Sequence, residues 1–164
     1  MWTGGSTSEN CKTGRRIAVD KLSLTEKEKT VESIPMGLRA YYSKTITGAD
    51  AAIFAGVTGD FQPLTFNEAL ARENGMERCP IQNELLASYT WPVSTQIASP
   101  GAVTIGQELT FYKPAFIGDT VTVVGEVNKK VPEKKFVYVQ TTIYNQNDEV
   151  LADGFVLELM RVHS

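Results

Sequence analysis

Two short segments hold the polar residues with the clearest chemical use. In the first, residues 58–66 (TGDFQPLTF), Asp60 is a carboxylate that can take a proton from water when a neutral hydrogen-bonding group lies beside it. The same carboxylate could instead cap the turn that follows it. Gln62 and Thr65 either line a pocket with Asp60 or only hold the loop through side-chain hydrogen bonds. This segment therefore offers a general base, with capping as the structural alternative.

The second segment, residues 80–88 (PIQNELLAS), reads as the start of a buried helix. Gln82 and Asn83 can polarise a carbonyl group or simply cap the helix. Glu84 can serve as a nucleophile or base, or as a first-turn glutamate that favours the helix dipole. The free N–H groups near Gln82–Glu84 can stabilise negative charge that develops on an oxygen.

Composition excludes several classes of function. The chain has 164 residues, which favours one domain, and a net charge of −3, which argues against a surface that binds nucleic acid. The sequence contains no run of about 18 apolar residues, so we expect no membrane-spanning helix, and we also expect no targeting peptide. Two cysteines, Cys11 and Cys79, and one histidine, His163, make a metal site, a disulfide framework or a Ser-His-Asp triad improbable. We therefore expect a cytoplasmic protein without a metal ion.

The first 34 residues differ in composition from the remainder. Ten of them are hydrophobic, a lower fraction than the 42% of the whole chain, and they show no sustained period. Such a composition buries too little apolar surface to offset the entropy of ordering. We expect residues 1–34 to be a flexible or loosely docked tail that adds little to stability, and residues 35–164 to be the folded domain.

Helical and extended patterns divide the folded domain. A strand is predicted over 38–46, and Thr47 with Asp50 is typical of a helix start. Asn67 is predicted to cap a further short helix. A longer buried helix is predicted over 81–91, and Pro92 should kink or end it.

After Gly101 the hydrophobic period becomes two, which predicts four strands of about ten residues. Long antiparallel strands with one dominant buried helix indicate an α+β fold in which the sheet wraps around that helix. The last predicted strand, residues 150–162, is apolar on both faces, so we expect its second face to contact a partner chain in a homodimer.

Three segments together resemble the MaoC-like (R)-specific enoyl-CoA hydratases, which have the hot-dog fold. Residues 54–64 (FAGVTGDFQPL) are similar to the hydration motif of that family. Residues 80–88 resemble its stretch P-I-[AV]-H-G-M-L-x-A-S. Residues 106–119 (GQELTFYKPAFIGD) resemble its strand, proline and Gly-Asp turn. The resemblance spans residues 39–161.

The resemblance implies a hydro-lyase that acts on acyl-CoA or acyl-carrier-protein thioesters through a remodelled centre. Asp60 matches the motif's water-binding aspartate, but Thr65 stands at its histidine position and Gln62 at its asparagine. The second segment is one residue shorter than the family's, so its His-Gly pair matches either Gln82-Asn83 or Asn83-Glu84. No cofactor is implied beyond the coenzyme A of the substrate.

Two other functions stay open at this point. In a hot-dog thioesterase, Glu84 or Asp60 would attack the thioester carbon or activate water to do so. A non-catalytic protein that binds acyl thioesters would keep the fold without the complete pair of catalytic residues. Water added to crotonyl-CoA indicates a hydratase, free thiol indicates a thioesterase, and neither product fits a binding protein.

Overall fold

A computed structural model describes residues 29–160, so most of the predicted tail and His163 lie outside the described residues. Five strands and five helices follow one another along this part of the chain. In chain order they are β1 (Arg39–Thr45), α1 (Gly48–Thr58), α2 (Pro63–Phe66), α3 (Glu68–Glu73), α4 (Asn83–Ser88), α5 (Trp91–Ala98), β2 (Ala102–Phe111), β3 (Thr120–Val131), β4 (Phe136–Tyr144) and β5 (Val150–Met160). A short 3₁₀ turn, Pro132–Lys134, joins β3 to β4.

The five strands form one antiparallel sheet in the order β1-β3-β4-β5-β2. Alternate residues of β3 and β4 are buried, as the period of two predicts for strands with one covered face. Helix α5 packs against that face, where it contacts β1, β3 and β5. The predicted α+β arrangement, a long sheet wrapped over a central helix, is confirmed.

The central helical segment consists of two helices, whereas one was predicted. A single helix over 81–91 was expected, but the chain forms α4 and then α5, separated by Tyr89 and Thr90. Pro92 lies in the first turn of α5, where its missing N–H costs no hydrogen bond. The proline therefore redirects the chain and starts a second helix, rather than ending the helical segment.

The partner contact that we predicted for the second face of the last strand stays a prediction. Strand β5 is an interior strand between β4 and β2, and its outward-facing Phe155 packs on Tyr138 with ring centroids 5.6 Å apart. On its inner face, buried Glu158 accepts hydrogen bonds from Ser94 and, at 2.7 Å, from Thr104. The sheet ends at β1 on one side and at the longer strand β2 on the other.

The packed part of the chain begins before Pro35, the expected start of the domain. Val31 and Ile34 are buried in the core cluster. The Lys130 ammonium group donates hydrogen bonds to their carbonyl oxygens at 2.9 and 2.7 Å. Two buried apolar side chains and a half-buried lysine partner thus dock a segment that composition alone assigned to the tail. None of the helices within residues 29–160 has the length and apolar character to cross a membrane.

Candidate active site

Asp60 lies at the surface, just after the end of helix α1. The predicted cap is present: the Thr47 side chain accepts from the Asp50 N–H, and the Asp50 carboxylate accepts from the Thr47 N–H at 2.8 Å. Gly59 ends the helix with a φ of 80°, and its N–H donates to the carbonyl oxygen of Ala55. This left-handed turn reverses the chain, and Asp60 follows it with an exposed side chain.

Thr65 lies inside the loop that Asp60 opens. Pro63 starts the single turn of α2, a position where proline fits a helix well. Thr65 is only 1% exposed, and its hydroxyl oxygen has no hydrogen-bond partner among residues 29–160. A buried hydroxyl without a partner costs about 1–3 kcal/mol, so this oxygen gains by binding a water molecule or a ligand.

Gln82 joins the two motif segments. It is also 1% exposed, and its side-chain Nε2 donates to the backbone oxygen of Asp60 at 3.3 Å and lies 3.5 Å from that of Ala51. Its Oε1 has no partner in the described part of the chain. The site therefore contains two buried oxygens, from Thr65 and Gln82, that can each hold a further hydrogen-bonding group.

The start of α4 opens into a cleft of about 340 Å³. Gln62, Asn83 and Glu84 line it together with apolar residues, whereas Asp60 and Thr65 do not. Gln82 stands at the N-cap position without a side-chain cap for the first N–H groups of the helix. Polar donors thus face a partly apolar cleft. The remaining lining residues are Leu64, Met76, Pro80, Ile81 and Pro114.

The third motif segment holds the beginning of α4 in place. Phe116 pairs with Pro80 in an isolated antiparallel bridge, and the Ile81 N–H donates to the carbonyl oxygen of Ala115 at 2.9 Å. Buried Asp119 fixes this turn by accepting from the Phe116 N–H at 2.9 Å and from the Arg78 guanidinium at 2.8 Å. The Gly-Asp turn thus acts as a support for the site.

A second concavity, here called the α1–α4 groove, lies where these two helices meet. Its volume is about 230 Å³, and it ends beside Asp50 and Tyr89. Burial raises the pKa of the Tyr89 phenol, and the nearby Asp50 and Tyr42 raise it further. Burial also tends to raise the pKa of Asp50, but hydrogen bonds from Thr47 and the Lys44 ammonium outweigh this effect and lower it.

The six predicted site residues therefore separate into two groups. Asp60, Thr65 and Gln82 belong to the loop and its support, while Gln62, Asn83 and Glu84 border the cleft. The cleft residue Met76 was not anticipated, because it lies in a loop with no periodic signal, and the third motif segment did not reveal that its Pro114 lines the cleft. Within residues 29–160 no three His, Cys, Asp or Glu side chains gather as a metal site needs.

The curled antiparallel sheet over a helical segment is the arrangement of the hot-dog fold, with the candidate site beside the start of α4. The MaoC like domain family matches residues 29–148. The (R)-specific enoyl-CoA hydratase of Aeromonas caviae is 32% identical over 126 residues, covering 76% of this chain and 94% of that protein. The (R)-specific enoyl-CoA hydratase of Rhodospirillum rubrum is 38% identical over 112 residues, covering 68% of this chain and 78% of that protein.

Solved structures agree with these relatives. The (R)-hydratase structure from A. caviae superposes with a TM-score of 0.74 at 30% identity, covering 79% of this chain and 98% of the other. The chain belongs to the MaoC-like family of hot-dog proteins.

Proposed function

We propose that this protein is an acyl-thioester hydro-lyase, which adds water to a 2-enoyl thioester or removes it from a 3-hydroxyacyl thioester. The observation that carries the proposal is the contact between Gln82 and the Asp60 backbone, which joins two motif segments at one place. Its support in the comparisons is the match to relatives named as enoyl-CoA hydratases. The substrate is a thioester of coenzyme A or acyl carrier protein, with no other cofactor.

Asp60 is the proposed general base and acid. In the hydration direction its carboxylate takes a proton from water, and the water oxygen bonds to the β-carbon of the enoyl group. The electron pair of the double bond moves onto the thioester oxygen as an enolate. The proton on Asp60 then returns to the α-carbon, so the carboxylate is regenerated. The exposed turn after Gly59 leaves this side chain open to solvent and substrate.

Thr65 and Gln82 are the proposed positioning groups for the attacking water. Each has a buried oxygen without a partner in the described chain. Thr65 lies in α2, five residues after Asp60, and Gln82, at the N-cap of α4, contacts the Asp60 backbone. A hydroxyl and an amide oxygen can both accept hydrogen bonds from water, but neither titrates usefully. The arrangement therefore orients water while Asp60 alone moves the proton.

The enolate oxygen needs a hydrogen-bond donor. We assign this role to the N–H groups at the start of α4, beside Asn83 and Glu84 on the 340 Å³ cleft. Gln62 lines the same cleft from the other motif segment, which supports a role for it in binding the thioester portion of the substrate. Asn83 and Glu84, the residues of the shortened motif, are both exposed.

Incubation of the full chain with crotonyl-CoA tests the proposal. Loss of the enoyl absorbance without release of free thiol is the expected result, with 3-hydroxybutyryl-CoA as the product. Glu84→Gln is the matched variant, because it removes the carboxylate of the cleft and keeps its shape. Hydration should persist in Glu84→Gln. Release of thiol that this variant abolishes would instead make the protein a thioesterase, and no reaction would leave a binding protein.

We also propose that the protein acts as a homodimer in the cytoplasm. Strand β2 is an edge strand of ten residues, and Val103 and Ile105 on it are among the exposed apolar side chains. An exposed apolar edge of this length pairs readily with another strand. A second copy paired along β2 would extend the sheet and bring its own residues towards the site.

A further inference from the structure

The α1–α4 groove takes no part in the proposed chemistry. Its α1 residues are spaced i, i+3, i+4 and i+7, so they form one side of that helix. Leu85 of α4 and Tyr89 at its end form the opposite wall. The lining is apolar apart from an acid and a phenol at one end. The residues from α1 are Asp50, Ile53, Phe54 and Val57.

The groove begins next to the candidate active site. Val57 lies in the last turn of α1, three residues before Asp60, and Leu85 follows the N-cap residue Gln82 by three residues. We call the end with Val57 and Leu85 the near end and the end with Asp50 and Tyr89 the far end. The Gln82 side chain contacts the Asp60 backbone and also lies 3.5 Å from the backbone oxygen of Ala51, so the candidate site borders α1 along its length. Asp50 lies two turns back along α1, about 10 Å from Val57. The groove therefore extends along α1 beside the proposed reacting centre.

The far end carries an unsatisfied hydroxyl. Tyr89 is 6% exposed, and its OH group has no hydrogen-bond partner among the described residues. The neighbouring Asp50 carboxylate is already occupied by the Thr47 hydroxyl at 2.7 Å and the Lys44 ammonium at 3.1 Å. A ligand oxygen that accepts from Tyr89 would relieve the cost of the buried hydroxyl. The negative charge of Asp50 disfavours an anionic group there.

We propose that the α1–α4 groove holds the acyl chain of the thioester, and that the Tyr89 hydroxyl binds an uncharged oxygen near the end of that chain. The inference rests on the proposed function for the identity of the ligand. It names the substrate class as acyl thioesters with a hydroxyl, carbonyl or ether oxygen remote from the thioester. A site with a buried hydrogen-bonding group discriminates strongly against ligands that lack the matching polar group. A purely apolar site discriminates less strongly against a ligand with an extra hydroxyl group.

Calorimetric binding of two saturated ligands, octanoyl-CoA and ω-hydroxyoctanoyl-CoA, tests this without any turnover. The hydroxy ligand should bind to the wild-type protein about 10-fold more tightly, an effect of the size expected for one hydrogen bond. Tyr89→Phe should abolish the preference. Tyr42→Phe is the matched control, since Tyr42 packs on Tyr89 with ring centroids 6.1 Å apart but does not line the groove, and it should keep the preference.

A second pair of variants tests whether the groove holds the chain at all. Val57→Trp places a large side chain at the near end, where Val57 is 81% exposed and the change needs no repacking of the core. It should lower the affinity for octanoyl-CoA relative to butyryl-CoA by about 10-fold. Ala52→Trp, on an exposed part of α1 outside the groove, should leave that ratio unchanged.

Equal affinities for the two octanoyl ligands in wild type, or the same preference in Tyr89→Phe, would overturn the inference. Failure to bind octanoyl-CoA would also overturn it, even if crotonyl-CoA is hydrated and the proposed function stands. Conversely, a preference for the hydroxy ligand without any hydration of crotonyl-CoA would uphold the groove and refute the hydro-lyase.

Discussion

Asp60 and Thr65, five positions apart in the motif, lie in contrasting environments. The carboxylate is exposed in the turn after α1, whereas the threonine is buried with an oxygen that has no partner in the described chain. Gln82 shares the burial and the unused oxygen, and contacts the Asp60 backbone. Proton transfer and water positioning are thus assigned to different residues, which sets the expectations for substitution at each.

Asp60→Asn should abolish hydration of crotonyl-CoA and leave the fold intact. Asparagine keeps the shape and one hydrogen-bonding oxygen, but it cannot take a proton from water, so the loss should be at least the 10²–10⁴-fold that is typical of a general base. Initial rates and a thermal melt of both proteins measure the two effects. Full wild-type turnover by Asp60→Asn would show that this carboxylate only caps its turn.

Thr65→His should raise the hydration rate about 10-fold, equivalent to about 1.4 kcal/mol of transition-state stabilisation. The substitution restores a titratable partner at the family's spacing from Asp60. Because Thr65 is 1% exposed, the larger ring must displace neighbouring atoms of the loop, which keeps the expected gain below the full value of a second acid–base group. A thermal melt separates loss of folding from failure of the chemistry. A folded Thr65→His with no gain would contradict this role for the position.

The helices and strands were predictable to the extent that each carries a local signal. Thr47 and Asp50 predict the start of α1 because a capping box needs only residues three apart. The division between α4 and α5 was not predictable, since Pro92 permits either a kink or a new helix and tertiary packing decides which. The burial of Glu158 depends equally on distant partners, Ser94 and Thr104, which the apolar pattern of β5 does not reveal.

Gly125→Ala should destabilise the protein by about 1–3 kcal/mol, because α5 lies directly on β3 at this glycine. A methyl group there would overlap Val93 Cγ1 and come within 3.1 Å of Val139 Cγ1. Gly56→Ala, inside α1, is the control. Apart from its chain neighbours and the backbone of its own helix, no heavy atom lies within 4 Å of the added methyl group, so this substitution should stabilise the protein by about 0.5–1 kcal/mol. Urea denaturation of both variants measures the difference, and equal stability would refute the close packing of α5.

At the scale of the whole molecule, the sequence pattern predicted the class of fold, but it did not predict which strands lie at the edges of the sheet. On the apolar second face of β5, Phe155 packs on Tyr138 of the neighbouring strand, and the face remains partly exposed. Strand order decides which edge is free, and order depends on long-range pairing that the pattern of one strand does not encode. The candidate site was also only partly predictable from the sequence. Its motif residues could be identified, but the cleft and the α1–α4 groove are formed by segments that come together only in the folded chain.

The proposed dimer can be tested at the free edge. Ile105 on β2 is 47% exposed, and Ile105→Arg places a charge where a second copy would pair, so it should convert a dimer to a monomer in sedimentation at micromolar concentration. Tyr41→Arg, on the opposite edge strand β1, is the matched control and should stay dimeric. If residues of both copies complete the site, the Ile105→Arg monomer should also lose hydration of crotonyl-CoA. A wild-type protein that sediments as a stable monomer would contradict the dimer, and a fully active Ile105→Arg monomer would show that one chain suffices for catalysis.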